Sequence, residues 1–400
     1  MPNDFTIALD RYLHRYREVA QMIPRLKSGR AYVNWLRSNW ELRAGTSRIA
    51  ARPLKLTIDP TNVCQLRCPL CPTGLEIHDR KTGHAPLNML EKLLDEVGDY
   101  VFFIDFFNWG EPLLNPRLHE FIQLANSYNV LCTVSTNLSL PLSDERIQQL
   151  VTSGLRELIV SLDGASAGTY ETYRRRGKFD LVVDNMRRIV RAKRALGLTT
   201  PLISWQFLVF GFNEHEVEKA RSMAVEMGVD RILVRPAALD VDRFPLSAED
   251  QAQMANWRPQ EPLYQIETVR PSATQHHSRC GWHYTSAAIN WDGTVAPCCT
   301  VYEKEHDFGT LAAGDSYMDV VNNQSFQAVR ERFSGRRTNP VAEVCEHCPT
   351  PSIMDYHEFL NRQVLLFTAV ALIERVRGLW GGGYRGLSRS AASAGQLPAR

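Results

Sequence analysis

From Pro53 onward the chain alternates short apolar runs with longer amphipathic ones. The short runs are 54–59 (LKLTID), 101–107 (VFFIDFF), 130–135 (VLCTVS), 157–162 (ELIVSL), 202–210 (LISWQFLVF) and 230–235 (DRILVR). Rich in β-branched and aromatic residues, they have the pattern of buried parallel strands. Helical segments lie between them near 88–97, 116–128, 143–152, 165–196 and 213–227. The last opens with Asn213 and Glu216 in capping-box spacing and stops at Gly228. Six β-α repeats predict an α/β parallel sheet that right-handed crossovers can curl into an open barrel. Function then belongs at the C-terminal ends of the strands. Four segments fall there: 64–71, 108–112, 135–137 and 163–164.

Outside the repeats the pattern changes. Residues 5–44 read as two helices with a break near Pro24 and Gly29. Leu9, Tyr12, Leu13, Tyr16, Val19 and Ile23 form one apolar stripe, and Tyr32, Trp35, Leu36 and Trp40 a shorter one. The expected organisation is a basic helical extension (1–52), the barrel (53–236), a proline-containing linker (237–274) and a small cysteine-bearing domain (275–352). A C-terminal helix (353–380) and a disordered tail rich in Gly, Ser, Ala and Arg (381–400) complete it.

Composition narrows the class. The chain has 400 residues, 44% of them hydrophobic and 22% charged, which is ordinary for a soluble globular protein. A net charge of +2 excludes a molecule built as a whole to bind nucleic acid. The charge is uneven: residues 1–53 carry ten Lys or Arg against Asp4, Asp10, Glu18 and Glu41. Together with the apolar run Val364–Ile373 and Arg375, Arg377 and Trp380, they could make a peripheral membrane-contact surface. A solvated helix face is the plainer reading. No stretch approaches the roughly 18 apolar residues of a membrane span, and no secretory signal is visible. Nine cysteines without an export signal point to a reducing compartment, the cytoplasm, where clustered thiols act as ligands or catalysts.

The first cluster is Cys64-Gln-Leu-Arg-Cys68-Pro-Leu-Cys71, directly after the first strand. Three soft thiolates in one short loop suit an iron–sulfur cluster or zinc. A closed zinc site needs a fourth ligand, and none follows until His78. The loop resembles the CxxxCxxC segment of the radical S-adenosylmethionine (radical SAM) superfamily, and the resemblance extends over residues 54–236. Asn108-Trp-Gly-Glu-Pro112, Ser135-Thr-Asn137 and Ser161-Leu-Asp-Gly164, with Tyr170, Tyr173 and Arg174-Arg-Arg-Gly177, match the family's other segments in order.

That resemblance implies a partial (β/α)6 TIM-like barrel. It implies that Cys64, Cys68 and Cys71 hold a [4Fe–4S] cluster whose fourth iron is open to S-adenosylmethionine. The Gly110 backbone and Glu111 would hold the methionine amino group, with Pro112 in the same cofactor-binding segment, and Ser135 and Asn137 the ribose. Arg174, in the segment of Ser161 and Asp163, would pair with the carboxylate, with Arg176 as the alternative. Reductive cleavage, fed by a flavodoxin- or ferredoxin-type donor, then gives a 5′-deoxyadenosyl radical that abstracts hydrogen from the substrate. Leu70 departs from the family, where many relatives carry an aromatic against the adenine.

A second set follows: Cys280-Gly-Trp-His-Tyr, a strand-like 287–291, the turn Asp292-Gly293, Cys298-Cys299 and Cys345-Glu-His-Cys348. It resembles the SPASM domain and its shortened twitch form. The resemblance implies one auxiliary [4Fe–4S] cluster on Cys280, Cys298, Cys345 and Cys348, with Cys299 as an alternative to Cys298. No cysteine follows Cys348, which favours the twitch form; a zinc ribbon is the competing reading. Cys132 lies inside a strand and reads as core packing. Because the N-terminal extension reads as helical, the expected substrate is a small polar molecule, sugar-like, aminocyclitol or lipid-linked, to be oxidised or epimerised. The alternative is a peptide or protein maturase, and the non-enzyme alternative an iron–sulfur electron carrier or zinc-stabilised scaffold.

Overall fold

A computed structural model describes residues 26–77, 80–237, 239, 246–254, 256–265, 280–311, 314–334, 345, 360–366, 368–369 and 372. The chain divides into Lys27–Phe359 and a unit made of Met1–Leu26 with Leu360–Arg400. The expected first helix, Cys348 and the tail lie outside the described residues, as does most of the C-terminal helix. In that second unit the described run 361–366 is helical.

The larger unit is built on one sheet of β1 (Lys55–Ile58), β2 (Phe103–Asp105), β3 (Leu131–Thr136), β4 (Glu157–Ser161), β5 (Leu202–Val209), β6 (Arg231–Pro236), β7 (Ser286–Ile289), β8 (Thr294–Ala296) and β9 (Gly309–Thr310). Its order is β6-β5-β4-β3-β2-β1-β7-β8-β9. The first six strands are parallel neighbours in chain order, as in a barrel wall. Helices follow in turn: α1 (Gly29–Ala44), α2 (Leu87–Val97), α3 (Leu118–Ser127), α4 (Asp144–Thr152), α5 (Ala167–Tyr173), α6 (Phe179–Ala195), α7 (Val217–Met227), α8 (Ala248–Met254), α9 (Trp282–Thr285), α10 (Tyr317–Val321) and α11 (Gln324–Phe333).

Strand alternation sorts the residues. Leu56, Ile58, Ile104, Cys132, Val134, Leu158, Val160, Ile203, Trp205 and Phe207 form one row and build the main core with the helices. The fully buried Cys132 is therefore packing, as expected. In register on the other row stand Lys55, Thr57, Asp105, Thr133, Ser135 and Ser161. That row is polar and internally paired. Lys55 Nζ lies 2.6 Å from Asp105, Ser204 Oγ donates to Glu157 at 2.7 Å, and Arg231 binds both Glu157 and Ser204.

The expected helix over 165–196 is two helices. Arg174 ends α5, Arg176 takes φ 66°, and a Cβ on Gly177 would meet the Tyr170 ring at 2.7 Å. Asn213 does not cap a helix by the expected box. Its amide instead accepts from Phe210 N and donates to the Asp163 and Leu208 carbonyls. Glu216 likewise accepts from Ala165 N at 2.7 Å and binds Thr169. Gly228 closes α7 in the left-handed region, as expected.

Three further arrangements are not what the pattern predicts. The hairpin β7–β8 is an extension of the barrel sheet, because β7 runs parallel to β1 from Lys55↔Ser286 to Ile58↔Ile289. Within the 237–274 stretch, Leu246, Met254 and Trp257 join the apolar cluster of Cys68, Tyr173 and Phe210. Finally, α1 is turned over. Its expected stripe is largely exposed at Leu36 and Trp40, while Asn34 and Glu41 are buried. These two hold the backbone of residues 50–52: Asn34 exchanges hydrogen bonds with Arg52 N and O, and Glu41 accepts from Ala50 N and Ala51 N.

Candidate functional site

The three-cysteine loop leaves the end of β1 and is folded by its own backbone. Cys71 N donates to Cys68 O, and Leu75 N to Cys71 O. Gly74 is needed at the crossing, since a Cβ there would lie 2.3 Å from Cys68 O. Cys68 is buried, and Cys64 and Cys71 are half-buried. Leu70 packs with Leu66, Tyr173 and Phe210. Beside them, Tyr173, Phe210, Phe212 and Trp257 form one aromatic group, Phe210 and Phe212 stacked at 5.1 Å.

Two of the three thiols have a polar neighbour from another segment. Asn137 Nδ2 lies 3.7 Å from Cys64 Sγ, and Arg174 Nη1 lies 4.0 Å from Cys68 Sγ. Gln65 Nε2 donates to Asn137 Oδ1 at 2.8 Å and so fixes the Asn137 amide. Burial pushes Cys64 up to about 12, helped by the Glu111 charge. It pushes Cys68 up to about 11 against the pull of Arg174. Burial thus disfavours the thiolate at Cys64 and Cys68, and a cationic centre is what turns them into ligands. Among the described residues, no three of His, Cys, Asp and Glu gather as a single-ion site. Three thiols on one loop with flanking donors fit a polynuclear iron–sulfur centre.

Glu111, 1% exposed, is held by three donors: Leu113 N at 3.0 Å, Thr136 Oγ1 at 2.6 Å and Asn137 N at 2.7 Å. It thereby staples the 108–112 loop to the end of β3. Burial nevertheless pushes its carboxyl above the ordinary range. Gly110 passes so close to the 61–63 loop that a Cβ would lie 1.8 Å from Thr61 O, and Glu111 N donates to Val63 O. Pro112 starts the short 3-10 turn that follows.

Asp163 is wholly buried and divides its carboxylate between Arg174 Nε at 2.6 Å and Leu208 N at 2.8 Å. Burial opposes the Arg174 charge, but Asp163 and Cys68 outweigh it and hold the guanidinium well above its ordinary value. Arg174 also sits 5.1 Å from the centre of the Tyr173 ring. Arg176 is exposed and stands apart from this group. Ser135 and Ser161 lie side by side, hydroxyls 3.5 Å apart. Of the expected residues around the first loop, Gly110, Glu111, Asn137, Asp163 and Arg174 are thus brought to one rim.

The pattern missed Gln65, Thr136 and Asp59. The first two carry no signal beyond adjacency to the motifs. Asp59 directly follows β1, 1% exposed, with Oδ1 lacking a hydrogen-bond partner. Burial pushes it up to about 7, against the amides of Gly110, Trp109 and Thr61.

The second cysteine set is tied to this rim. Cys280 is buried with Trp282, Ala288 and Ala296, and Cys298, Cys299 and Phe333 pack on them. Cys298 Sγ lies 3.1 Å from Thr300 Oγ1. Burial pushes the Cys299 thiol up to about 12, with Lys55 and Asp105 acting on it in opposite directions. Cys345 is half-buried. Trp109 meets Tyr302 edge-on at 5.2 Å, and the Asn108 amide, correctly oriented, donates to Cys299 O at 3.0 Å. Arg80, buried, forks onto Asp307 with two 2.6 Å bonds and donates to Tyr302 O at 2.7 Å.

The sequence model of the radical SAM superfamily matches residues 58–224. The model of the SPASM iron–sulfur cluster-binding domain matches residues 280–349. Mycofactocin maturase MftC of Mycolicibacterium smegmatis is 25% identical over 210 residues, 51% of this chain and 51% of that protein. PqqA peptide cyclase of Bradyrhizobium diazoefficiens is 25% identical over 197 residues, 48% of this chain and 49% of that protein. The chain thus spans about half the length of these curated relatives. Among solved structures, Streptococcus suis SuiB bound to its precursor peptide SuiA aligns with a TM-score of 0.53 at 14% identity, covering 79% of this chain and 75% of that one. That likeness establishes the fold, a partial barrel of this type.

Proposed function

The chain belongs to the radical SAM superfamily and carries a SPASM domain, and from that premise we propose that it is a peptide-modifying enzyme. The cofactors of such a protein are a [4Fe–4S] cluster with S-adenosylmethionine and auxiliary iron–sulfur clusters. When bound, they supply a carbon-centred radical able to take hydrogen from an unactivated C–H, and a path for electrons. What remains is the work of the chain's own residues.

Cys64, Cys68 and Cys71 hold the open cluster. Arg174, oriented by Asp163, receives the methionine carboxylate as a planar guanidinium suits it to do. The Gly110 backbone receives the amino group, and Glu111 fixes that loop against β3. Asn137 with Ser135 and Ser161 offers hydroxyl and amide partners to the ribose. Leu70, Tyr173 and the neighbouring aromatic group exclude water from the reacting carbon. Cys280, Cys298, Cys345 and Cys348 hold one auxiliary cluster in the twitch manner. The substrate lies over the polar row of Lys55, Asp105, Glu157, Arg231 and Arg235, whose outer strand β6 is the free edge of the sheet among the described residues.

The observation that carries the radical SAM part is the convergence of the three-cysteine loop with Asn137, at Cys64, and Arg174, at Cys68, on one rim. The peptide part rests on kinship with a maturase and a peptide cyclase, and it displaces the small polar substrate expected from the helical N-terminus. A helical extension does not select against peptides. The test is anaerobic turnover with a candidate precursor peptide deuterated at its side-chain carbons. Deuterium in 5′-deoxyadenosine and a mass loss in the peptide are expected. Label that stays in the peptide while a deuterated sugar or aminocyclitol transfers its own would sink the peptide reading and restore the small-molecule one.

A further inference from the structure

The outer face of α1 is unlike the rest of the surface. Val33, Leu36 and Trp40 are 60%, 61% and 63% exposed. Spaced by three and four residues, they form one crest along the helix. Arg30 and Arg37 are exposed along one flank of that crest and Arg43 along the other. The single acid of α1, Glu41, is buried and occupied by Ala50 N and Ala51 N. The other large exposed apolar residues in the described chain are Leu196, Val225, Leu263, Leu365 and Leu372, and none lies on this helix.

Folding actively produces this orientation. Rotating α1 to bury Trp40 and Leu36 would strip the Asn34 and Glu41 partners from residues 50–52. Those are the residues that lead into β1, so the helix is locked with its apolar crest outward. A crest this exposed costs solubility unless something covers it.

Charge decides what covers it. The chain's own terminal segments have the wrong sign. Residues 1–26 carry Arg11, Arg15, Arg17 and Arg25 against three acids, and residues 360–400 carry six arginines against Glu374 alone. A face of guanidinium groups calls for an anionic partner. Shape favours a flat one, because side chains exposed by three-fifths stand proud and form no groove to grip a peptide. Apolar crest, Trp at one end and arginines on both flanks are the attributes of a helix lying in the headgroup region. No helix among the described residues is long and apolar enough to cross a membrane, so contact would be peripheral.

We propose that the Arg30–Val33–Leu36–Arg37–Trp40 face of α1 docks the protein on anionic lipid bilayers. The inference stands apart from the peptide reading, since it concerns where the enzyme works and not what it modifies. The test is co-sedimentation of the full chain with phosphatidylglycerol–phosphatidylcholine vesicles and with phosphatidylcholine alone, at low and high salt. Binding to the anionic vesicles only, weakened about tenfold by high salt, is expected. Two variants, V33S/L36S/W40S and R30E/R37E, should each weaken it at least about tenfold. Both should keep the wild-type unfolding transition, because these side chains are exposed. Brominated lipid should quench Trp fluorescence in the wild type and less in W40F. Undiminished vesicle binding by both variants overturns the proposal, and so does absence of binding. Salt-sensitive capture of acidic polyglutamate without vesicle binding would make the face a protein-docking site instead.

Discussion

Gly110 shows how little room the site leaves a single residue. Its missing Cβ is the space occupied by Thr61 O, so G110A has to push the 108–112 loop off the cysteine loop. We expect a cost of about 1–3 kcal/mol in stability and about a hundredfold loss of S-adenosylmethionine cleavage, read by urea unfolding and by 5′-deoxyadenosine release. Arg174 is equally specific. R174K keeps a charge near Cys68 but loses the planar guanidinium whose Nε binds Asp163 while Nη1 faces Cys68. S-adenosylmethionine affinity should fall about tenfold or more. D163N should act in the same direction and add little to R174K, since Asp163 works through the guanidinium; an additive double variant would separate them. Asp59 makes a prediction about pH. Its folded pKa of about 7 lies above the ordinary 3.8, so the folded protein holds a proton that the unfolded chain gives up. The stability it contributes is present at low pH and is lost as pH rises between about 4 and 7. His283, pushed down to about 3 by burial and by Arg330, acts oppositely: the unfolded chain binds the proton, so stability rises with pH up to about 6.5. D59N should remove only the falling part, by up to about 1.4 kcal/mol per pH unit. Urea midpoints at acid and neutral pH would show the variant gaining more on going to neutral pH than the wild type. The motifs announced Glu111 and Arg174 by sequence, but not that Thr136 and Asp163 would be spent on holding them.

At the scale of elements, period and turn chemistry were legible where packing is one-sided or local. The six barrel strands fall where the apolar runs lie, because a strand buried against helices writes a compact apolar signature. The break between α5 and α6 was not read from the pattern, since the apolar periodicity resumes after it; Arg174 to Lys178 leave the helix, with Arg176 in the left-handed region. Asn213 and Glu216 had the spacing of a cap yet serve Asp163, Leu208 and Ala165, partners brought near by the fold. The joint between barrel and hairpin is a matter of elements too. Arg80 reaches across to Asp307 with both side chains nearly buried. R80L should cost about 3–5 kcal/mol by leaving the Asp307 carboxylate unpaired. R80L/D307L should recover much of that loss, as chemical denaturation of the three proteins would reveal.

For the whole molecule, the strand that leads into the three-cysteine loop and the hairpin beside Cys280, Cys298 and Cys299 belong to one continuous sheet through the β1–β7 pairing. If the two cysteine sets hold separate clusters, C64A/C68A/C71A should abolish S-adenosylmethionine cleavage. It should also lower anaerobically reconstituted iron from about eight to about four per chain, with the remaining charge-transfer absorption intact. Unchanged iron content would mean that the sets are not independent. The sequence by itself determined the order of strands and helices and the loop that offers three thiols. It also set the segments that end on one rim. All of these follow from local period and fixed spacing, which a linear chain encodes directly. Only the tertiary structure decided that the auxiliary hairpin extends the barrel sheet and that Asp163 orients Arg174. It also decided that α1 turns Trp40 outward to satisfy Asn34 and Glu41 inward. Those outcomes depend on which distant backbone groups need partners, and no periodicity along the chain records such needs.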